Sequence, residues 1–213
     1  MLSEEERRRG RISYQINGTL TQALRVASNL EQRLKESFNY VEPVEDNYGT
    51  YSLESRSIVL EACIQIEAIA QLFYSLSSNR KERFSWKKLY DYIESFDTVT
   101  IYNSDTPPTS SAILYLANAY VEFLPFKTLI LWNYSPIHLM PWKEVRNKKM
   151  PSWWNDGYNK IKHDSNLDIS FCTYYKAIEA IAGLYVMIAF ISSELDCPMS
   201  KDTEFKPRFF LQS

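Results

Sequence analysis

Glycine is scarce in this chain, with five residues among 213. A sandwich or barrel built on many tight turns needs left-handed backbone repeatedly, and glycine adopts it most readily, so the shortage argues for helices joined by longer connections. Cysteine is sparser still. Cys63, Cys172 and Cys197 lie far apart, without the paired spacing of a metal knuckle or a disulfide framework. A reducing, cytoplasmic setting suits such a chain. Histidine occurs only at 138 and 163, too few for a zinc site without unusual partners, so neither a metal nor a cofactor is expected. Long hydrophobic runs are missing as well. The most apolar stretch, "AIAGLYVMIAFI" from Ala180 to Ile191, is about six residues short of a membrane span. It is preceded by Glu179, and it reads as a buried helix with no membrane role. The first residues, "MLSEEERRRG", hold no apolar signal core, so export is not expected.

An excess of one charge is also lacking. The net charge is −2, which leaves out the strong positive field of a non-specific nucleic-acid binder. The charge is unevenly placed, however. From Lys143 to Asp164 there are six cations (Lys143, Arg146, Lys148, Lys149, Lys160 and Lys162) against three acids, so the remainder of the chain is net negative. A second group, Arg7, Arg8, Arg9 and Arg11, follows three glutamates and reads as a solvated helix start.

What the chain does have is apolar and aromatic mass, 45% and 15% of its residues, enough for one substantial core. The fold class expected is mainly α: a helical bundle in a single domain over 1–213, with an irregular middle at 97–150 and a tail at 199–213. Ile16, Leu20, Ala23, Leu24, Ala27, Leu30 and Leu34 recur at the helical period and predict a first helix from Asn17 to Phe38. From Ser52 to Leu76 the chain is apolar around most of a helix, with Leu53, Leu60, Ile64, Ile69, Leu72, Phe73 and Leu76 available for burial, which predicts a central position. Ser85 is placed to cap a third helix carrying Trp86, Leu89, Ile93 and Phe96. Prolines 107, 108, 125, 136, 141 and 151 forbid one long helix across the middle. A short helix near Ser111 to Ala119 and one or two short β-strands are expected there. Leu167, Phe171, Tyr174, Ile178, Ile181, Tyr185 and Ile188 then lie along one helix seam, with Ser165 or Asn166 as its cap. The tail after Pro198 has no helical period.

The densest chemistry lies in "PSWWNDGYNKIKHD", residues 151–164. Pro151 and Ser152 suit a helix start, and about three turns would follow. On an α-helix Asn159 and His163 share a face, with Lys162 beside them and Lys160 on the flank, while Trp153, Trp154, Tyr158 and Ile161 turn to the core. An imidazole titrates near neutrality, so His163 can exchange a proton with a ribose hydroxyl or a leaving oxygen. An amide can orient it, and Lys160 and Lys162 can neutralise a phosphoryl oxygen. The plainer reading is a helix end, where His163 and the lysines suit the carboxyl-terminal dipole. Glu61 and Glu67 could meet the histidine or a lysine across the bundle, although a salt-bridged helix face is the commoner role. His138, set between prolines, reads as structural.

The order "LPFKTLILW", "PSWWNDGYNKIKHD" and then a helix carrying "YYKAIEAIAGLYVMIAF" resembles a set of bacterial helical proteins. More distantly, it is similar to the HEPN superfamily of small α-helical domains, from about Phe123 to Ile191. That resemblance implies a bundle that forms homodimers, with active members acting as metal-independent ribonucleases in toxin–antitoxin or antiviral systems. A two-fold cleft would bring together two histidines, one from each chain. The motif of active members sets an arginine four to six residues before the histidine. Here "WNDGYNKIK" precedes His163, without arginine, and lysine lacks arginine's planar fork for a phosphate. The resemblance therefore carries over His163 as acid/base and Asn159 as its orienting partner. RNA is the implied partner. The alternative is a non-catalytic helical interaction module that offers the same helix to a protein partner or a small ligand.

Overall fold

The computed structural model describes residues 4–78, 121–123, 137–163, 169–194 and 210–212, with side chains described over 14–72, 139–163 and 169–192. The helices expected at 86–96 and 111–119, their cap Ser85, the caps Ser165 and Asn166, and Cys197 lie outside the described residues. What is described is mainly α. Four helices, α1 (Glu4–Ser37), α2 (Leu53–Ser78), α3 (Lys160–His163) and α4 (Tyr174–Glu194), carry the architecture. A π-helical segment, Trp153–Asn159, leads directly into α3.

The first helix begins earlier than the apolar pattern predicts, at Glu4. Apolar period reports where a buried stripe starts, and the charged "EEERRRG" turns carry no such period. The predicted stripe is buried throughout: Ile16, Leu20, Ala23, Leu24, Ala27, Leu30 and Leu34 all enter the core. Ser52 ends the connecting loop and caps α2, its Oγ accepting the backbone N–H of Ser55 at 3.0 Å.

The central position expected for α2 is met, since it packs against α1, α4 and the π segment, but the residues it buries differ from those expected. Leu53 and Ile64 are exposed, at 70% and 50%, and Leu60 and Leu72 are only partly buried. Of the expected residues Ile69 is buried, the side chains of Phe73 and Leu76 lie outside the described ones, and the buried face is Ile58, Val59, Ala62, Cys63, Ile66, Ile69 and Ala70. On a helix apolar around most of its circumference, periodicity does not tell inward from outward. The helix α4 is central as well. It packs against α1, α2 and the π segment, and buries Ala180, Ile181, Ala182, Leu184, Tyr185, Val186, Met187, Ile188, Phe190 and Ile191 around its circumference. Each large aliphatic buried this way contributes roughly 1.5–3 kcal/mol. Tyr174–Ser192 is apolar and long enough to cross a membrane, yet most of that span is buried inside this fold.

The start of α4 is also corrected. The seam residues Tyr174, Ile178, Ile181, Tyr185 and Ile188 are buried as predicted. Phe171, however, belongs to a 3-10 turn, Ile169–Phe171, and the helix opens at Tyr174. The Thr173 side chain accepts the N–H of Lys176, and its backbone bridges to Tyr51. Across the core, Tyr185 donates its hydroxyl to Glu31 at 2.9 Å, joining α4 to α1 around a carboxyl that is 1% exposed.

Within the expected irregular middle, two short strands are described, β1 (Val121–Phe123) and β2 (Ile137–Leu139), and the tail adds β3 (Phe210–Gln212). They form a three-stranded antiparallel sheet with β1 central, Glu122 facing His138 on one side and Leu211 on the other. A 3-10 turn, Lys143–Asn147, follows β2.

Candidate functional site

Trp142, Trp153 and Trp154 are buried, and their edge-to-face contacts hold the site in place. Ring centroids are 5.3 Å apart between Trp142 and Trp153, and 5.8 Å between Trp153 and Trp154. Both indole N–H groups at the centre find carbonyl acceptors: Trp142 donates to Gly183 at 2.9 Å and Trp153 to Pro141 at 2.8 Å. Tyr158 and Ile161 turn inward as well, so the core-anchoring role of this face is realised. The helix itself differs from the expected regular α-helix. Residues 153–159 form a π segment, in which bonding runs to the fifth residue and widens the turn. Gly157 packs against Val59 and the stem of Lys176. The Lys176 ammonium, in turn, donates to the carbonyls of Asp156 and Phe171 at 3.2 and 3.1 Å, fixing the wide turn to the start of α4.

Because Asn159 ends the π segment and His163 ends α3, their four-residue spacing crosses a change of helix type. Asn159 is partly buried and turns its amide to the Met150 sulfur at 3.5 Å. His163 is exposed, and among the described residues no hydrogen bond joins the two. Lys160 lies 3.8 Å from Asp156 and 4.6 Å over the Phe171 ring. Lys162 donates to Glu67 at 2.9 Å and to the Tyr158 hydroxyl at 3.2 Å. The structure thus puts the four residues on one short stretch without aiming them at one point. Asn159 and Lys162 are engaged elsewhere, and His163 stands open to solvent.

Burial alone would lower the Lys162 ammonium, but Glu67 and Tyr158 outweigh it and hold it above its ordinary value. Burial pushes the Tyr158 hydroxyl up to about 12, so it serves as a donor and acceptor rather than as a phenolate. Of the two acids on α2, Glu67 meets a lysine as the sequence allowed, while Glu61 meets Arg33 at 2.7 Å. Burial raises the Glu61 carboxyl, yet the bonds from Arg33 and Ser57 hold it below the usual range. Because Lys162 and Glu67 are substantially wet, Lys162→Met is expected to cost no more than about 1 kcal/mol in urea denaturation. A larger loss would show that this pair is part of the core's support.

Burial also pushes the Cys63 thiol well above its ordinary value and Cys172 up to about 11, so neither offers a thiolate near neutrality. Among the described residues no group of three or more His, Cys, Asp or Glu side chains converges as a metal site.

Two features that the sequence marks only by charge acquire a place in the fold. The turn Lys143–Asn147 and the residues after it expose Arg146, Lys148 and Lys149. Met150, which follows them, meets Asn159 at the end of the π segment. The local charge excess was the available signal. The second is Glu179, a buried acid within the apolar helix α4, whose only signal was its place in the run. No family model, characterised protein or solved structure matches this chain, so residues and geometry alone carry its functional reading.

Proposed function

We propose that this protein is a HEPN-like RNA-binding domain whose phosphate-contacting face joins the exposed basic turn to the helix end bearing His163. The observation that supports this most is the Asn159–Met150 contact, which ties the end of the exposed basic stretch holding Arg146, Lys148 and Lys149 to the segment leading into the His163 helix. Exposed cations on rigid supports suit a phosphodiester chain, and an open imidazole suits proton transfer at a ribose hydroxyl. In the cleaving form of this reading, His163 is the acid/base and no metal takes part. A homodimer supplies the second histidine, and the setting is cytoplasmic, in a toxin–antitoxin or defence role. The test is fluorescence anisotropy with single-stranded RNA in EDTA. Affinity is expected to fall on the order of tenfold between 50 and 200 mM salt. Arg146→Glu with Lys149→Glu is expected to remove binding, and His163→Ala to keep binding while ending any cleavage. RNA that fails to bind wild type at low salt overturns the reading.

A second reading has its own support. Lys162 is occupied by Glu67 and Tyr158, and Asn159 by Met150, so neither helps His163 at a reacting phosphate. That suits a non-catalytic interaction module binding a protein partner or a small ligand. Intact RNA after incubation with a binding-competent wild type would favour this second reading.

A further inference from the structure

Arg56 is partly buried, and its Nε is shut off from solvent without an acceptor. Among the described residues no hydrogen bond or ion pair reaches the rest of its guanidinium. A sealed donor left unmade is costly, and arginine cannot shed its charge to reduce that cost. On α2 Arg56 stands between two fixed contacts. Before it, Tyr51 bridges to Thr173, and one turn after it Val59 packs on Gly157. Over this span α2 therefore faces the π segment and the turn Ile169–Phe171, and it packs against both.

Two further cations are held at the same place. The Lys176 ammonium donates to the Asp156 and Phe171 carbonyls at 3.2 and 3.1 Å, and the Lys160 ammonium stands 4.6 Å over the Phe171 ring. Neutral carbonyls and a ring orient these charges without cancelling them. Among the described residues the acid in these contacts is Asp156, 3.8 Å from Lys160 and nearly half exposed. The placement agrees with the Cys172 thiol, on which Lys176 and Arg56 both act to favour the thiolate, although burial outweighs them.

We infer that Arg56, Lys160 and Lys176 form a phosphate-binding site beside the turn Ile169–Phe171, with the Arg56 guanidinium as its planar fork. With Nε walled in, the two terminal nitrogens present that fork, and the lysines add point charges. Three cations against one acid leave a local excess that a phosphate offsets. This is not the arginine missing before His163. Val59 lies at Gly157 and Glu67 at Lys162, so α2 runs alongside this stretch, and Arg56 is about three turns, roughly 16 Å, short of Glu67. The site therefore stands independently of the function proposed above. Its phosphate can come from an RNA backbone or from a small phosphorylated ligand.

Inorganic phosphate titrated into the full chain at constant ionic strength, with chloride as control, tests this through the NMR shifts of the 169–176 amides. Wild type is expected to show saturable shifts there, and Arg56→Met to weaken the affinity about tenfold or more. Arg56→Lys keeps the charge and loses the fork, so it is expected to weaken binding several-fold, and it decides the matter if Arg56→Met does not fold. Wild-type shifts that never saturate, or a folded variant with undiminished affinity, overturn the site. Anisotropy with single-stranded RNA separates the two sources. RNA affinity lowered by the same substitution assigns the phosphate to RNA, and unchanged RNA affinity with phosphate binding lost assigns it to a small ligand. A wild type that takes phosphate but no RNA upholds the site and removes the RNA reading.

Discussion

Trp153→Ala is expected to remove about 3–5 kcal/mol of stability, the largest single loss available near the candidate site. The indole is 1% exposed, packs edge-on against both Trp142 and Trp154, and donates to the Pro141 carbonyl. Alanine would leave a cavity between α4, the π segment and the residues that lead into the basic turn. It would also leave a buried carbonyl short of its donor, a cost of roughly 1–3 kcal/mol that overlaps the cavity loss. A domain of ordinary stability, about 5–15 kcal/mol, would be left near its threshold. Urea denaturation followed by far-ultraviolet circular dichroism reads the change directly, since it does not depend on the tryptophan removed. A loss below about 1 kcal/mol would mean that the ring is not the anchor that burial suggests. Trp154→Phe keeps an aromatic ring against Tyr158, whose centroid is 5.0 Å away, and should cost much less.

That anchor was visible in the sequence, whereas the geometry it supports was not. The spacing of Ile16 to Leu34 identified the buried stripe of α1, because one narrow face does all the packing there. The spacing of Tyr174 to Ile188 did the same for α4. It overran the helix start because Phe171 happens to fit the seam, while Thr173 commits its backbone to Tyr51 and its side chain to the cap. On α2 the pattern could not choose a face, and Leu53 and Ile64 face outward. The π segment is tied to α4 through the Lys176 bond to Asp156, a contact 20 positions apart, whereas local periodicity gave an ordinary α-helix and put Asn159 beside His163. The Lys162–Glu67 pair spans 95 positions in sequence, and no spacing rule reaches that far. What could be read locally was residue type and burial. What could not was which partner each polar group takes in the folded chain.

The second large effect sets two opposing terms against each other at Gly183. Glycine inside a helix is worth about 1 kcal/mol less than alanine, so on propensity alone Gly183→Ala should stabilise α4. A Cβ at this position, however, would lie 2.7 Å from Cζ2 of Trp153 and 3.0 Å from its Cη2, inside any ordinary contact. The ring cannot swing clear cheaply, because its N–H is held by Pro141 and it lies in edge-to-face contact with both Trp142 and Trp154. Overpacking of this kind costs roughly 1–3 kcal/mol, so the clash wins and a net loss of about 1–2 kcal/mol is expected in urea denaturation. The backbone carbonyl of the same residue accepts the Trp142 indole, so the strain should also reach the basic turn and lower the protection of its amides. Pairing Gly183→Ala with Trp153→Phe separates the terms. The smaller ring gives the methyl room, so the double variant should be more stable than the sum of the two single losses allows. Strict additivity, or a Gly183→Ala variant more stable than wild type, would mean that α4 and the tryptophan do not approach as closely as these distances require.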